Sequence, residues 1–298
     1  MPGSYQPEFV LLSSPDWTDY ELIDSGAGAK LERFGPYRFV RPEPQAIWQP
    51  TLGEREWRRA DATFRADADA EGGRWAFNRP IEPQWVMHYK GLSFWAQPTP
   101  FRHMGVFPEQ ANQWDWVRSR IEASRRPARV LNLFGYTGIA SLAAASAGAS
   151  VTHVDASKKT IGWARENQAL SGLEDRPIRW ILDDALKFVQ REVRRGAQYD
   201  GFIIDPPPFG RGPKGEIWRI DESLPELLGA CRELMSAEPL FVVLTAYAIR
   251  FSALSLYYLL SEMVADFGGG LEGGEAVIAE QRTGRLLSTA IFARWSAE

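Results

Sequence analysis

The stretch Val130-Leu-Asn-Leu-Phe-Gly-Tyr-Thr-Gly138 is an apolar strand followed by a loop with two glycines. A second apolar strand, in Phe202-Ile-Ile-Asp-Pro-Pro-Pro-Phe209, ends in an acid and three prolines. In an open α/β sheet, a ligand held by the loop after one strand lies beside the loops that follow the neighbouring strands. The pair therefore predicts the transfer of a group from a bound cofactor onto a planar nitrogen.

The order of elements along the chain predicts an α/β fold in its later part. From residue 128 onward, strands alternate with helices, which is typical of βαβ units and a mostly parallel sheet. Only a tight turn separates the last two predicted strands, residues 275–281 and 287–294, so these two must pair antiparallel. Before residue 120, Pro, Trp and Gly are frequent and helical periodicity is poor. We therefore predict a small β-rich part in residues 1–120 and a Rossmann-like domain in residues 121–298.

Composition excludes several classes of protein. Hydrophobic residues make up 45% of the 298 residues and charged residues 24%, which is typical of a soluble globular chain. There is one cysteine and there are three scattered histidines, so neither a disulfide framework nor a metal centre is expected, and a cytoplasmic location is predicted. Neither a signal peptide nor an apolar run of about 18 residues is recognised, so no membrane association is expected. The net charge of −4 is unlike that of a generic nucleic-acid binder.

The first loop has the features of a cofactor site. Gly135 and Gly138 allow a ligand to approach the backbone, and the following helix offers N–H groups at its start. The third glycine of dinucleotide enzymes and a phosphate-binding Gly-Lys-Ser are both missing, which favours a ligand without phosphates that is held by its amino-acid end. Asp155 ends the next predicted strand, where an acid accepts from both hydroxyls of a ribose. Asp184 ends the third strand and is placed to accept from an adenine amino group, with Ala185 beside the ring. The alternative is that these acids cap helices.

The second loop has the features of an acceptor site. Prolines 206 to 208 have no N–H groups, so with the Asp205 carboxylate they form a cleft that only accepts hydrogen bonds. Such a cleft holds an amino or ring nitrogen and orients its lone pair, and Phe209 is placed to stack on a planar base. A rigid turn with Phe209 in the core is the alternative.

These motifs resemble the class I S-adenosylmethionine-dependent methyltransferases, and among them the large-subunit ribosomal-RNA methyltransferases with the motifs F-x-Y-T-G and D-P-P-x-F. Here the motifs are Phe134-Gly-Tyr-Thr-Gly138 and Asp205-Pro-Pro-Pro-Phe209, and Phe107-Pro-Glu-Gln110 matches a further Phe-x-x-Gln segment. The resemblance implies a seven-stranded sheet with an antiparallel last strand, S-adenosyl-L-methionine as cofactor and RNA as substrate. The residues predicted to contact the cofactor are Gln110, Asn132, Phe134, Gly135, Tyr136, Thr137, Gly138, Asp155, Ala156, Asp183, Asp184 and Ala185. Those predicted to act on the target are Asp205, Pro206, Pro207 and Phe209.

The sequence also departs from that family. Members that methylate carbon 5 of a pyrimidine carry a nucleophilic cysteine after the fifth strand, where this chain has Thr245-Ala-Tyr247. The single thiol, Cys231, is predicted to lie in the core, so methylation of a base nitrogen is favoured over the covalent route. Many relatives also begin with a basic RNA-binding domain, which is not recognised here. Three alternatives stay open: a methyltransferase for a protein glutamine or a small amine, a nicotinamide-dependent dehydrogenase, and an RNA-binding protein that has kept only the fold.

Overall fold

The computed structural model describes residues 7–14, 17–67, 72–247 and 249–297, which fall into two compact units. Unit 1 comprises Met1–Leu12, Asn112–Ala276 and Ala290–Glu298, and unit 2 comprises Ser13–Ala111 and Val277–Thr289. Each unit is therefore built from more than one stretch of chain. The division predicted at residue 120 falls inside a helix whose residues from Asn112 onward belong to unit 1.

Strands and helices are numbered here in chain order. The strands are β1 (Phe9–Ser13), β2 (Tyr20–Gly26), β3 (Ala29–Phe34), β4 (Tyr37–Pro42), β5 (Ala62–Ala66), β6 (Gly73–Phe77), β7 (Trp85–Tyr89), β8 (Leu92–Ala96), β9 (Arg129–Leu133), β10 (Ser150–Asp155), β11 (Ile178–Leu182), β12 (Gly201–Ile204), β13 (Phe209–Arg211), β14 (Ile217–Arg219), β15 (Phe241–Ala246), β16 (Gly270–Ala279) and β17 (Leu286–Ser296). The helices are α1 (Glu54–Trp57), α2 (Ala111–Ser124), α3 (Ile139–Ser146), α4 (Lys158–Leu170), α5 (Ala185–Arg194), α6 (Ile220–Glu233) and α7 (Ala253–Met263), with a 3₁₀ turn at Pro108–Gln110.

The large sheet has the predicted topology. Its strand order is β1-β16-β17-β15-β12-β9-β10-β11. The pairs from β15 to β11 are parallel, and β17 runs antiparallel to β15. The seven strands from β16 to β11 confirm the expected α/β sheet with an antiparallel last strand. One strand was missed, since β1 adds an eighth at the edge beside β16.

Apolar side chains cover both faces of the central strands, as a parallel sheet requires. Leu131 and Phe202 face a core that includes helices α5 and α6, whereas Val130 faces the opposite core. Val117 and Ile121 of α2 pack in that second core. Their spacing of four residues is a helical signal, and it was overlooked because α2 follows a segment of poor periodicity.

The central strand β9 decides where the site lies. Its last residue, Leu133, is paired with Val154 of β10 on one side and with Ile204 of β12 on the other. The chain leaves β9 toward β10 on one side of the sheet and later returns to β12 on the other side. The carboxyl end of β9 is therefore the point where the strand order reverses. The loop after β9 therefore begins between Asp155, which ends β10, and Asp205, which follows β12.

Unit 2 contains a five-stranded sheet in the order β2-β3-β4-β5-β6, and an antiparallel hairpin of β7 and β8. Its core includes a stacked pair of rings, Phe39 and Trp85, whose centroids are 5.7 Å apart. The sequence did not indicate β3 because charged residues occupy its buried face. Glu32 is fully buried there and binds the guanidinium of Arg41 at 2.7 Å.

The single thiol lies in the described part of the chain, and that part contains no cluster of metal-ligating side chains. Cys231, in α6, is fully buried in the core, which confirms its predicted place, and burial raises the pKa of its thiol. No group of three or more His, Cys, Asp or Glu side chains that could hold a metal ion is found among these residues. Within the same ranges, every helix is too short or too polar to span a membrane.

Candidate active site

The loop after β9 has an unusual backbone. Phe134 and Tyr136 have φ angles of 58° and 50°, in the left-handed region that residues other than glycine rarely adopt. Such conformations persist where the surrounding structure enforces them, and they concentrate at functional sites. Gly138, with φ 83°, then begins α3, and no side chain caps this helix. The start of α3 therefore has backbone N–H groups that no side chain caps, and their predicted binding of a ligand stays a prediction.

Asp155 holds this loop in place. Its Oδ2 accepts from the Tyr136 N–H at 2.9 Å, and its Oδ1 accepts from the N–H of Ser157 and the hydroxyl of Thr160. Burial raises the pKa of this carboxyl group, against the opposing effect of those three hydrogen bonds. A carboxylate has about four acceptor positions, so one remains on Oδ2. Asp155 can thus bind a further hydroxyl while it keeps the loop ordered, and its predicted contact with both ribose hydroxyls stays a prediction.

The two glycines are required by packing beneath the loop. A Cβ on Gly135 would lie 2.3 Å from the His153 ring, and a Cβ on Gly138 would lie 2.8 Å from the Cβ of Ala164 and 3.2 Å from Trp180. His153 and Trp180 are paired across β10 and β11, and their rings meet edge to face at 4.6 Å. The sequence explained both glycines by the approach of a ligand from above. The structure adds a second reason, because two aromatic rings support the loop from below.

A chain of buried polar groups lies under α3. Asn132 donates from Nδ2 to the Ser141 hydroxyl at 2.8 Å, and that hydroxyl lies 3.0 Å from Nδ1 of His153. Burial lowers the pKa of His153 to about 3, so its ring is neutral near pH 7. Thr137 is also buried, and its carbonyl accepts from the Asn167 side chain. The cofactor contacts predicted for Asn132 and Thr137 stay predictions, while their observed bonds join β9 to α3 and the loop to α4.

We expect Gly135→Ala to destabilise the protein because the added methyl group overlaps the His153 ring. Overpacking costs about 1–3 kcal/mol, which would lower the melting temperature by roughly 3–10 °C. Since His153→Ala removes the ring, the double variant should recover part of that loss. Thermal melting of the two single variants and the double variant measures the coupling. Strictly additive effects would show that this contact does not decide the identity of residue 135.

The acids after β11 act on helix α5 in this structure. Asp184 is the N-cap of α5 and accepts from the Lys187 N–H at 3.0 Å, while Asp183 binds the guanidinium of Arg191 at 2.6 Å. Their predicted contacts with an adenine stay predictions, as do the cofactor contacts of Ala156, which follows Asp155, and of Ala185, which follows Asp184. Gln110 ends the 3₁₀ turn in unit 2, and its predicted role is likewise untested.

The loop after β12 keeps only part of its predicted acceptor surface. The Pro207 carbonyl accepts from Nε1 of Trp218 at 2.8 Å, and the Pro208 carbonyl accepts from the Ile220 N–H at 3.1 Å. In the described chain, Pro206 is the one of the three prolines whose carbonyl receives no hydrogen bond. Phe209 is 43% exposed, so it is not a core residue. Besides these two carbonyls, the loop contains the Asp205 carboxylate, the Pro206 carbonyl and the exposed ring of Phe209.

Two residues that sequence reasoning missed organise this loop. Thr245 is buried in β15 and donates its hydroxyl to Oδ1 of Asp205 at 2.9 Å. Trp218, on β14, donates to the Pro207 carbonyl and packs its ring 4.8 Å from the ring of Phe134. Trp218 therefore connects the loop after β12, residues 205–208, which we name the acceptor loop, to the loop after β9. The position of Thr245 was noted only because no cysteine stands there, and nothing in the spacing of Trp218 indicates its role.

Comparison with known proteins gives a consistent family. A family profile described as S-adenosylmethionine-dependent methyltransferase matches residues 45–239. The crystal structure of a SAM-dependent methyltransferase from Agrobacterium tumefaciens is 51% identical, with a TM-score of 0.93, and the alignment covers 97% of this chain and 94% of that chain. A structure designated SMU.776, solved in complex with SAH, is 17% identical with a TM-score of 0.70 over 94% of this chain and 76% of its own, which shows a shared fold.

Curated relatives with a described substrate match only part of the chain. The ribosomal RNA large subunit methyltransferase K/L of Shewanella sp. strain ANA-3 is 40% identical over 149 residues, which are 49% of this chain and 20% of that protein. The protein of the same name from Psychrobacter sp. strain PRwf-1 is 36% identical over 132 residues. The chain thus spans about a fifth of the length of these relatives. The ribosomal RNA in their names therefore describes the substrate of those proteins.

Proposed function

Because the chain belongs to the S-adenosylmethionine-dependent methyltransferase family, we propose that it methylates a nitrogen of a base in RNA, with ribosomal RNA as the first substrate to test. The observation that carries the proposal is the loop after β12. It combines the Asp205 carboxylate, the Pro206 carbonyl and the exposed ring of Phe209 beside the loop after β9. Hydrogen-bond acceptors beside an exposed ring suit a planar group that carries an amino nitrogen.

The residues on the cofactor side fit S-adenosylmethionine. The uncapped start of α3 offers N–H groups to the carboxylate of its amino-acid end, and the remaining acceptor position on Oδ2 of Asp155 suits a ribose hydroxyl. The loop lacks a phosphate-binding sequence, in agreement with a cofactor that has no phosphate. When bound, S-adenosylmethionine supplies a methyl group on a positively charged sulfur. These features argue against a nicotinamide dinucleotide.

The chain's own residues would then orient the acceptor. Asp205 and the Pro206 carbonyl accept hydrogen bonds from the amino group of the base, which turns the nitrogen lone pair toward the loop after β9. Phe209 stacks on the base and limits its rotation, so the gain in rate is mainly one of orientation. As the new carbon–nitrogen bond forms and the carbon–sulfur bond breaks, the nitrogen loses a proton, and the Asp205 carboxylate is placed to accept it. Thr245 keeps that carboxylate in position throughout.

The structure supports nitrogen over carbon 5 as the acceptor atom. Covalent methylation at carbon 5 needs a thiolate that can reach the base. Thr245 stands where that cysteine is expected, and Cys231 is buried with a raised pKa. A hydrogen-bonded amino group needs no nucleophile from the protein, so the residues present are sufficient for it.

Transfer of a labelled methyl group distinguishes the candidate acceptors. Purified protein and labelled S-adenosylmethionine are incubated with total RNA or with total protein from cells that lack this protein. We expect label in RNA, and mass analysis of its nucleosides should find the methyl group on a base nitrogen. Label that enters protein instead would favour an amide acceptor such as glutamine, which the same loop accommodates.

A cytoplasmic location is part of this proposal, as suits a chain with a single buried thiol.

A further inference from the structure

A short hairpin follows the acceptor loop directly. Strands β13 and β14 pair antiparallel, with Phe209 opposite Arg219, Gly210 opposite Trp218, and Arg211 opposite Ile217. Side chains alternate between the two faces of such a ribbon. The inner face carries Trp218, which is buried and bound to the acceptor loop. The outer face, which we name the hairpin patch, carries Phe209, Arg211, Ile217 and Arg219.

The hairpin patch combines apolar and cationic side chains in alternating positions. Phe209 is 43% exposed and Ile217 is 61% exposed, and the arginine opposite each of them is exposed as well. Lys214, in the turn between the two strands, is also exposed and is counted as part of the hairpin patch. Large apolar side chains so exposed beside cations are typical of surfaces that contact single-stranded nucleic acid, where bases pack on apolar groups and phosphates bind the cations.

Two cations of the hairpin, Arg211 and Lys214, are available to a ligand. Some arginines elsewhere in the chain are neutralised by acids of the protein, as Arg126 is by Asp200 and Arg191 is by Asp183. In residues 7–14, 17–67, 72–247 and 249–297, no acid pairs with Arg211 or Lys214. Arg219 of the patch pairs with Glu222, and Glu216 in the turn pairs with Lys187, so the unpaired cations of the hairpin are Arg211 and Lys214. Two unneutralised cations therefore stand beside the acceptor loop of a protein whose net charge is −4.

We propose that the hairpin patch binds the nucleotides that flank the target base in a single-stranded segment of RNA. The inference deepens the proposed function and depends on it. Phe209 is common to both sites, so a base held at Asp205 and Pro206 would have its neighbours along the strand over Ile217 and the cations. Arg211 and Lys214 bind phosphates, while Ile217 packs against a base or a ribose. The hairpin then selects unpaired RNA, because the bases of a duplex are stacked and cannot reach its apolar side chains.

Salt dependence of RNA binding tests the two halves of the patch separately. The probe is a fluorescein-labelled single-stranded RNA of twelve nucleotides and mixed sequence, and its binding is followed by anisotropy at several salt concentrations. R211Q/K214Q should bind it roughly tenfold more weakly at low salt. The plot of log association constant against log salt concentration has a negative slope, and its magnitude should decrease by about 1.4, or 0.7 for each lost phosphate contact. Ile217→Ser should weaken binding at every salt concentration and leave the slope unchanged.

A matched control separates the patch from overall charge. R165Q/R176Q removes two exposed cations of unit 1, which also lack an acidic partner in the described ranges, at α4 and before β11. This variant should bind the RNA like the wild type.

Equal binding by R211Q/K214Q and by the control would overturn the inference, and if the wild type still methylates RNA the proposed function stands. If R211Q/K214Q instead loses affinity for an acidic peptide and keeps its affinity for RNA, the patch serves a protein partner and the inference is wrong. A wild type that binds this RNA and transfers methyl groups only to protein would refute the proposed function independently.

Discussion

Replacing Asp155 with alanine is expected to weaken the binding of S-adenosylmethionine roughly 100-fold, because a hydrogen bond to a charged group contributes about 1.5–3 kcal/mol. The variant loses the acceptor for a ribose hydroxyl. It also loses the hydrogen bond from the Tyr136 N–H to Asp155, and this bond helps to keep the loop after β9 in its left-handed conformation. Isothermal titration with S-adenosylmethionine measures the affinity, and thermal melting reports the part of the effect that comes from folding.

Two variants make the Asp155 experiment specific. Asp155→Asn keeps the size of the side chain and one carbonyl oxygen, so an affinity between those of the wild type and the alanine variant is expected. Asp175→Asn removes the same charge from an exposed turn before β11 and should leave the affinity unchanged. If Asp155→Ala remains folded and binds the cofactor as the wild type does, the site after β9 does not hold S-adenosylmethionine in the way proposed.

The sequence predicted the large sheet well because local and global signals agree there. Apolar strands, short helices and polar residues at strand ends recur at a regular spacing, and Ser157, a favoured N-cap residue, caps α4. The antiparallel last strand followed from the short connection before it, because two adjacent strands joined by a tight turn cannot run parallel. Unit 2 was predicted less completely, since the buried ion pair between Glu32 and Arg41 places charge where a strand pattern has apolar residues.

The internal support of the site could not be predicted in the same way. Thr245 and Trp218 act through contacts with residues far away in sequence, 40 positions from Asp205 and 11 positions from Pro207 respectively. Strands β13 and β14 have three residues each and lie in a segment rich in glycine and charge, where no periodicity can develop. The sequence therefore locates the strand ends that carry chemistry, whereas tertiary packing decides how each side chain is held.

Replacing Asp205 with asparagine is expected to lower kcat by roughly 100-fold or more, while the affinity for S-adenosylmethionine stays that of the wild type. The amide has the shape of the carboxylate, but it presents an N–H₂ group to the amino group of the base and cannot take up a proton. Single-turnover methylation of RNA measures the chemical step, and titration with the cofactor measures binding separately.

The contact between Thr245 and Asp205 makes this prediction more specific. Thr245→Val keeps the shape of the side chain and removes the donor that holds Oδ1 of Asp205, so a smaller loss of kcat is expected, about tenfold. Thr245→Ser retains the hydroxyl and should recover most of the activity, which a purely structural defect in β15 would not allow. In an Asp205→Asn background the valine substitution should cost little more, because its effect passes through the carboxylate. Full additivity of the two substitutions, or an Asp205→Asn variant that turns over like the wild type, would mean that the nitrogen is oriented by other groups than those of this loop.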